Sequence, residues 1–343
     1  MSRRAGIASS RRAIAATPTI VSRRAIRSDS PRKQSAATSI ISCTSGLSDV
    51  GAGKPADRLH WSSAELSSNL LKPFMKEATL LVVVLLLFGG AVMVPPIAQD
   101  DHHVTMDGRS IAGVPNGMDV LSNLLFFAVG IAGLAATVER RGRTPFRDRW
   151  TRWPYRALFA GVVLTTFGSA WYHLAPSTAR VVWDRLPMTV AFMGLLAAVI
   201  AERVNTRLAR VLFAPLLVAG AGSVVYWYAT QLAGHGDLRP YAVVQFGSLT
   251  VVLLVLTLYR SSDRGSVWLG IALALYGLAK VFELNDGPIY HALGIVSGHT
   301  LKHITAAAAV GCVVAMLRLR SESPSEYVES VESSPQDAPG LVT

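Results

Sequence analysis

Long apolar runs alternate with short polar segments along this chain, and eight of the runs are long enough to cross a bilayer. The first is ATLLVVVLLLFGGAVMVPPIAQ, within residues 77–99. The other seven are predicted as helices at 119–138, 155–174, 182–201, 209–231, 241–259, 266–284 and 293–317. This pattern predicts an all-α fold, a polytopic membrane helix bundle with eight spans.

Composition and charge agree with a membrane protein. The chain is 51% hydrophobic and 16% charged, and its mean hydropathy is +0.37. The net charge of +11 lies mostly in the N-terminal tail and in alternate loops, which disfavours nucleic-acid binding. The positive-inside rule then places both termini in the cytoplasm. The basic residues of the alternate loops are Arg140, Arg141, Arg143, Arg147, Arg149, Arg152, Arg203, Arg207, Arg260, Arg264, Arg318 and Arg320.

The two ends of the chain differ in composition from the helices. Residues 1–76 are rich in Arg, Ser and Ala and poor in acids, which predicts a disordered basic tail. An organelle transit peptide is an equally good interpretation of the same composition. Residues 319–343 are acidic and are also predicted to be disordered.

Polar residues converge at one end of the predicted bundle. His173 ends the third helix, Asp184 begins the fourth, and His299 and His303 lie in the first turns of the eighth. The alternating helix directions place all four in the same leaflet. His299 and His303 are spaced i,i+4 and share a helical face, as do Ser169 and His173. Three histidines brought together predict a catalytic zinc site with an open position for water.

The remaining ionisable residues in or near the helices receive structural interpretations. Lys280 and Glu283, at i,i+3, are predicted to neutralise each other. Lys302 lies on a different face from the two histidines and is expected to extend toward the membrane interface. The other histidines are interpreted as surface or interfacial residues: His102, His103, His235 and His291.

Several separated motifs resemble the alkaline ceramidase family. They are SN at 122–123, GSAWYH at 168–173, DRLPM at 184–188 and HTLKH at 299–303. This family belongs to a superfamily of seven-helix membrane hydrolases that includes the adiponectin-receptor-like proteins. The resemblance covers residues 107–318 and implies a seven-helix ceramidase-like domain there, with the helix at 77–99 as an extra N-terminal span.

The resemblance implies a zinc-dependent hydrolase. His173, His299 and His303 would ligate zinc, Asp184 would be the general base, and Ser169 would stabilise the oxyanion. The substrate would be a membrane lipid, ceramide or another N-acyl lipid, cleaved to a sphingoid base and a fatty acid at the non-cytoplasmic leaflet. Supporting residues around the ligands are expected among Ser122, Asn123, Lys280 and Glu283.

One segment departs from the family. Animal alkaline ceramidases carry an acidic, tryptophan-containing calcium-binding segment before the first family helix. The corresponding stretch here, HHVTMDGRSIAGVPNGMD, has no tryptophan and no glutamate. Asp107, Asn116 and Asp119 could supply only a partial oxygen site, so Ca²⁺ is less expected than Zn²⁺. The departure also leaves another acyl amide or an acyl ester open as the substrate.

Two other function classes remain open at this stage. A proton-coupled or ion-coupled transporter would use Asp184, Lys280, Glu283 and the histidines as a relay. Such a relay predicts charges along a path through the bilayer, whereas these residues lie mostly in one leaflet. A receptor-like seven-helix protein with a structural metal predicts a closed, fully ligated site.

Overall fold

The computed structural model describes the backbone of residues 63–99, 106–139, 142–259 and 265–322, with side chains described from Met75 onward. The transit-peptide prediction, nearly all of the predicted acidic tail, His102 and His103 lie outside the described residues. Within the described ranges the chain is helical, with one isolated antiparallel bridge between Ile111 and Val114.

Eight helices in the described part of the chain are long and apolar enough to cross a membrane. The all-helical, multi-span prediction is confirmed to this extent. A short helix, Asp286–Leu293, connects the seventh to the eighth. The eight are α1 (Ser63–Met93), α2 (Gly117–Leu121 and Leu124–Ala136), α3 (Arg152–Leu174, after a 3₁₀ turn at Arg149–Thr151), α4 (Thr178–Arg203), α5 (Thr206–Leu232), α6 (Arg239–Ala242, a π turn at Val243–Gly247, and Ser248–Leu258), α7 (Ser266–Leu284) and α8 (Gly298–Glu322).

The bounds of two helices, α1 and α8, differ from the hydropathy prediction by five residues or more. α1 begins at Ser63, within the tail predicted to be disordered, and ends at Met93 rather than at residue 99. The early end follows from the consecutive prolines at 95 and 96, because proline lacks an N–H and restricts the residue before it. α8 begins at Gly298 rather than at residue 293. The short helix before it stops at Gly294, which has a positive φ of 68°.

Six of the eight helices surround a central cavity. α2, α3, α4, α6, α7 and α8 each contribute side chains to its wall. α5 packs against α4 on the outside of this ring, and α1 packs against α6. No part of the spanning window of α1 is buried, whereas about half of α3, α4 and α8 is buried. α1 is therefore peripheral, and its sides are left for lipid.

Outward-facing apolar side chains are consistent with a lipid environment. Val211 and Val218 on α5 are each 72% exposed, and Phe88 on α1 is 60% exposed. Exposure of such apolar side chains to water would be unfavourable, since burial of apolar area is the main favourable term in folding. In a bilayer the hydrocarbon covers them at no such cost.

Glycines bring α3 and α4 into backbone contact. A methyl group built on Gly168 would lie 1.8 Å from the carbonyl oxygen of Trp183. One on Gly161 would lie 2.6 Å from the amide nitrogen of Ala191. Small residues at a helix interface let two backbones approach closely in a membrane. This contact brings Ser169, the neighbour of Gly168, beside the first turns of α4.

The segment after α1 forms hydrogen bonds with residues at the start of α6. Arg239 donates from Nη1 to the carbonyl oxygen of Val94 at 2.7 Å, and its Nη2 lies 2.8 Å from Asp237 Oδ2. The amide of Leu238 donates to the carbonyl oxygen of Ile97 at 2.9 Å. The peripheral helix is thus held at its end by polar contacts rather than by extensive packing.

An ion pair outside the spans fixes the segment before α2. Asp107 is buried and accepts from both Nε and Nη2 of Arg109 at 2.7 Å. Arg109 also donates to the carbonyl oxygen of Ile295, just before α8. The hydrogen bonds from Arg109 hold the pKa of Asp107 below its ordinary value. This pair therefore links the entry of α2 to the entry of α8.

We expect Asp107→Asn to reduce the acid sensitivity of the fold. A carboxyl whose pKa is lowered by folding stabilises the protein fully above its unfolded pKa, near 3.8, and ceases to do so as the pH falls through the folded value. Wild type should therefore lose more in Tm than Asp107→Asn between about pH 5 and about pH 3. Thermal unfolding in detergent measures this difference. An equal loss in both proteins would contradict a stabilising role for the pair.

Candidate metal centre

Three histidines from two helices meet at one end of the bundle. His173 lies in the last turn of α3, and His299 and His303 lie in the first turns of α8. One ring nitrogen from each lies within 4.8 Å of the others. The Nε2 atoms of His173 and His299 are 3.2 Å apart. The convergence predicted from helix direction and i,i+4 spacing is found in the structure.

The donor set fits a divalent metal ion. In a tetrahedral zinc site with Zn–N distances of about 2.0–2.1 Å, neighbouring ligand nitrogens are about 3.3–3.4 Å apart. The 3.2 Å separation between His173 Nε2 and His299 Nε2 is close to this value. Imidazole is a common ligand for zinc, copper, iron and nickel, so the donors alone do not select among these metals.

Neighbouring groups fix the three ligands in place. Ser122 Oγ lies 2.7 Å from His303 Nδ1, which directs the other ring nitrogen toward the remaining histidines. Asn116 Nδ2 donates to the carbonyl oxygen of His173 at 2.7 Å. The amide of His299 donates to Asp286 Oδ1 at 2.8 Å. Of the predicted supporting residues, Ser122 therefore contacts a ligand directly.

A carboxylate and a hydroxyl line the same cavity as one of the histidines. Asp184 and Ser169 line the central cavity together with His303. Ser169 is buried, and its hydroxyl interacts with the Asp184 carboxylate. Asp184 is not one of the three clustered ligands. The contact between α3 and α4 at Gly168 thus places a proton acceptor, Asp184, and a hydroxyl donor, Ser169, on the wall of the cavity that His303 also lines.

Lys302 takes a different position from the one predicted. Its side chain is 17% exposed, lines the central cavity and places Nζ 2.6 Å from Glu283 Oε1. The expectation that it extends to the interface is wrong, because a carboxylate on α7 holds it inside. The pairing of Lys280 with Glu283 is confirmed, with Nζ 2.5 Å from Oε2. Glu283 therefore bridges two lysines.

Other predicted residues have structural contacts. Asn123 is buried and donates to the carbonyl oxygen of Asp119 at 2.7 Å, within α2. His235 and His291 are exposed, as predicted. These residues do not belong to the histidine cluster.

Arg185 is a neighbour of the site that the sequence did not single out. Its guanidinium lies over the rings of Trp227, at 4.4 Å, and Tyr241, at 5.1 Å. It also donates to Gln99, in the segment that follows α1. Arg185 and Gln99 are far apart in the chain, and no local sequence pattern connects them. Arg185 follows Asp184 directly, so the segment after α1 reaches the neighbourhood of the carboxylate.

The three residues that could have supplied a partial oxygen site for calcium each interact with a different partner. Asp107 accepts from Arg109, and Asn116 donates to the backbone of His173. Asp119 accepts from Thr300 Oγ1 at 2.8 Å. Within the described residues, the histidines are the only group of three or more His, Cys, Asp or Glu side chains close enough to share an ion.

Fold and site together define a multi-span helical membrane protein with a buried three-histidine group that could bind a metal. A scan against models of known protein families finds no match for the chain, and a search of curated proteins finds none either. The likeness to alkaline ceramidases therefore rests on the motif residues alone.

Proposed function

We propose that this chain is a zinc-dependent membrane amidohydrolase related to the alkaline ceramidases. Helices α2–α8 would form its seven-helix hydrolase core, with α1 as an addition. Its reaction would be cleavage of the N-acyl amide of a ceramide-like lipid to an amine and a fatty acid. The observation that carries the proposal is the placement of Asp184 and Ser169 on the same cavity as a histidine of the clustered group.

The side chains suit hydrolysis by an activated water. Zinc held by the three imidazoles would supply Lewis-acid activation of water and of the amide carbonyl. Asp184 would accept a proton from the attacking water and pass it to the leaving nitrogen. Ser169 would turn from Asp184 to donate to the carbonyl oxygen as negative charge develops there. Each role uses an atom already facing the cavity.

The cavity supports an acyl substrate. Below the polar end its walls are apolar and include Leu158, Val162, Val252, Leu269 and Val313. Its lining residues on α8 extend from position 302 to position 313, which at 1.5 Å per residue is about 16 Å. A long hydrocarbon chain would fill this space while its carbonyl stayed near the histidines.

The charge pattern supports a non-cytoplasmic active site. Arg203 at the end of α4 and Arg320 at the end of α8 lie at the helix ends opposite to Asp184 and His299. The positive-inside rule assigns the basic ends to the cytoplasm. The histidine cluster would then face the other leaflet.

Fatty-acid release from a panel of N-acyl sphingoid lipids tests the proposal. Detergent-purified wild type, Asp184→Asn and the exposed-histidine control His235→Ala would be compared, with bound zinc measured on each. We expect Asp184→Asn to keep its zinc and lose about a hundredfold or more in release, because its proton acceptor is gone. His235→Ala should match wild type.

Other outcomes separate the competing classes. Release that is equal in wild type and Asp184→Asn would contradict the role of the carboxylate. Zinc without release from any acyl amide or ester would favour a receptor-like protein with a structural metal. Folded protein without zinc would favour a transporter.

A further inference from the structure

Two lysine side chains line the polar end of the central cavity. Lys280 of α7 and Lys302 of α8 face it together with Ser169, Asp184 and His303. Both lysines are largely buried, at 23% and 17% exposure. Ionisable groups at membrane depth are costly and usually face a cavity or a partner. A site that bound only an acyl chain would gain nothing from two buried ammonium groups.

One carboxylate serves both lysines. Glu283 Oε2 lies 2.5 Å from Lys280 Nζ, and its Oε1 lies 2.6 Å from Lys302 Nζ. Two ammonium groups and one carboxylate carry a net charge of +1. The carboxylate that lines the cavity itself is Asp184, on α4. Asp184 lies on a different helix from both lysines, so within the group formed by Lys280, Glu283 and Lys302 one positive charge is uncompensated.

The lysines can each accept a further partner. An ammonium has three donor hydrogens, and Glu283 takes one from each. Lys280 Nζ also lies 5.5 Å from the centre of the Phe246 ring and 5.9 Å from that of Tyr276, contacts that steady the cation. The bridge by Glu283 holds both ammonium groups at the cavity wall, so an incoming anion meets cations that are already ordered.

We propose that Lys280 and Lys302 bind an anionic group on the amine portion of the substrate, and that the amide cleaved is an N-acyl amino acid. This inference rests on the proposed hydrolase and replaces the ceramide-like lipid by an N-acyl amino acid as its substrate. A carboxylate near the amide nitrogen would form charge-assisted hydrogen bonds with the ammonium groups. The acyl chain would occupy the apolar remainder of the cavity. A neutral ceramide headgroup could form no such charge-assisted pair with either ammonium group.

The reaction balances with water alone. The bond between the acyl carbon and the amide nitrogen breaks. Water supplies hydroxyl to the carbon and a proton to the nitrogen, giving a fatty acid and a free amino acid. Lys280 and Lys302 would bind the carboxylate throughout and take no part in bond making.

A matched pair of amides tests the inference. N-oleoylglycine and N-oleoylethanolamine have the same acyl chain and differ in a carboxylate against a hydroxymethyl group. We expect wild type to have a kcat/KM at least about tenfold higher for the glycine conjugate, as one charge-assisted contact allows. The triple variant K280M/E283Q/K302M removes the bridge without leaving Glu283 unpaired, and should lose this preference. Lys76→Met is the control, because Lys76 is a lysine of α1 that does not line the cavity and places Nζ 5.2 Å from the centre of the Tyr259 ring.

Equilibrium binding of the two radiolabelled amides gives a readout that needs no turnover. Wild type, metal-free and metal-loaded, should bind the glycine conjugate about tenfold more tightly than the ethanolamide, and the triple variant should bind both equally. Equal binding and equal cleavage in wild type would overturn the inference and leave the hydrolase standing. Selective binding without cleavage of either amide would overturn the hydrolase and with it the substrate role, leaving an anion-binding site.

Discussion

His299→Ala is expected to bind zinc at least about a hundredfold more weakly than wild type. Loss of a group that merely supports a ligand costs about 10–100-fold in metal affinity, so loss of one of three ligands should cost more. His299 Nε2 lies 3.2 Å from His173 Nε2, and its removal leaves two histidines from different helices. Activity against every acyl amide should disappear with the metal.

The matched control for this variant is His291→Ala. His291 is exposed in the short helix between α7 and α8 and lies outside the cluster. Zinc affinity would be measured by competition with a chelator of known affinity, and bound metal by elemental analysis. Wild-type affinity in a folded His299→Ala protein would contradict the assignment of His299 as a ligand. A loss in His291→Ala as well would indicate that zinc binds elsewhere.

Gly168→Ala is expected to disrupt the fold and the site together. The added methyl would lie 1.8 Å from the carbonyl oxygen of Trp183, and a backbone atom cannot move aside without its helix. Overpacking of a tight core costs about 1–3 kcal/mol, and more where the structure cannot relax. Because Ser169 and His173 follow Gly168 on α3, any shift of α3 from α4 moves both relative to Asp184. We expect a lower Tm and weaker zinc binding.

Gly222→Ala gives the comparison at an open position. A methyl on Gly222 in α5 meets nothing within 4 Å. Alanine is the better helix former by about 1 kcal/mol in soluble helices, so this variant should be neutral or slightly stabilised. Tm and zinc affinity would be measured for both proteins in the same detergent. A Gly168→Ala protein indistinguishable from Gly222→Ala would contradict the close contact of α3 and α4.

Local sequence patterns were sufficient to predict much of this structure. Hydropathy over about twenty residues gives the spans, because only a helix satisfies its backbone hydrogen bonds within the bilayer. The i,i+4 spacing of His299 and His303 gives a shared face, and alternating helix direction places His173 at the same end. Depth gives only a shared leaflet for these three, and the prediction that they meet came from the pattern of three histidine ligands in a catalytic zinc site.

The remaining features depend on neighbours that a linear pattern cannot supply. Lys302 was expected at the interface because it lies on a different face of α8 from the two histidines, but its partner is Glu283 on α7. The contact of Arg185 with Gln99 joins positions far apart in the chain. The start of α1 at Ser63 lies before its apolar run, where hydropathy gives no indication of a helix.

X-ray absorption at the zinc edge of the purified wild-type protein tests the central claim most directly. We predict three imidazole nitrogens and one non-protein oxygen at about 2.0–2.1 Å, the coordination of an open catalytic site. The same first shell is expected in Asp184→Asn, since Asp184 lies beside the ligands and not among them. A shell of four protein ligands, or folded wild-type protein that takes up no zinc, would contradict an open three-histidine centre.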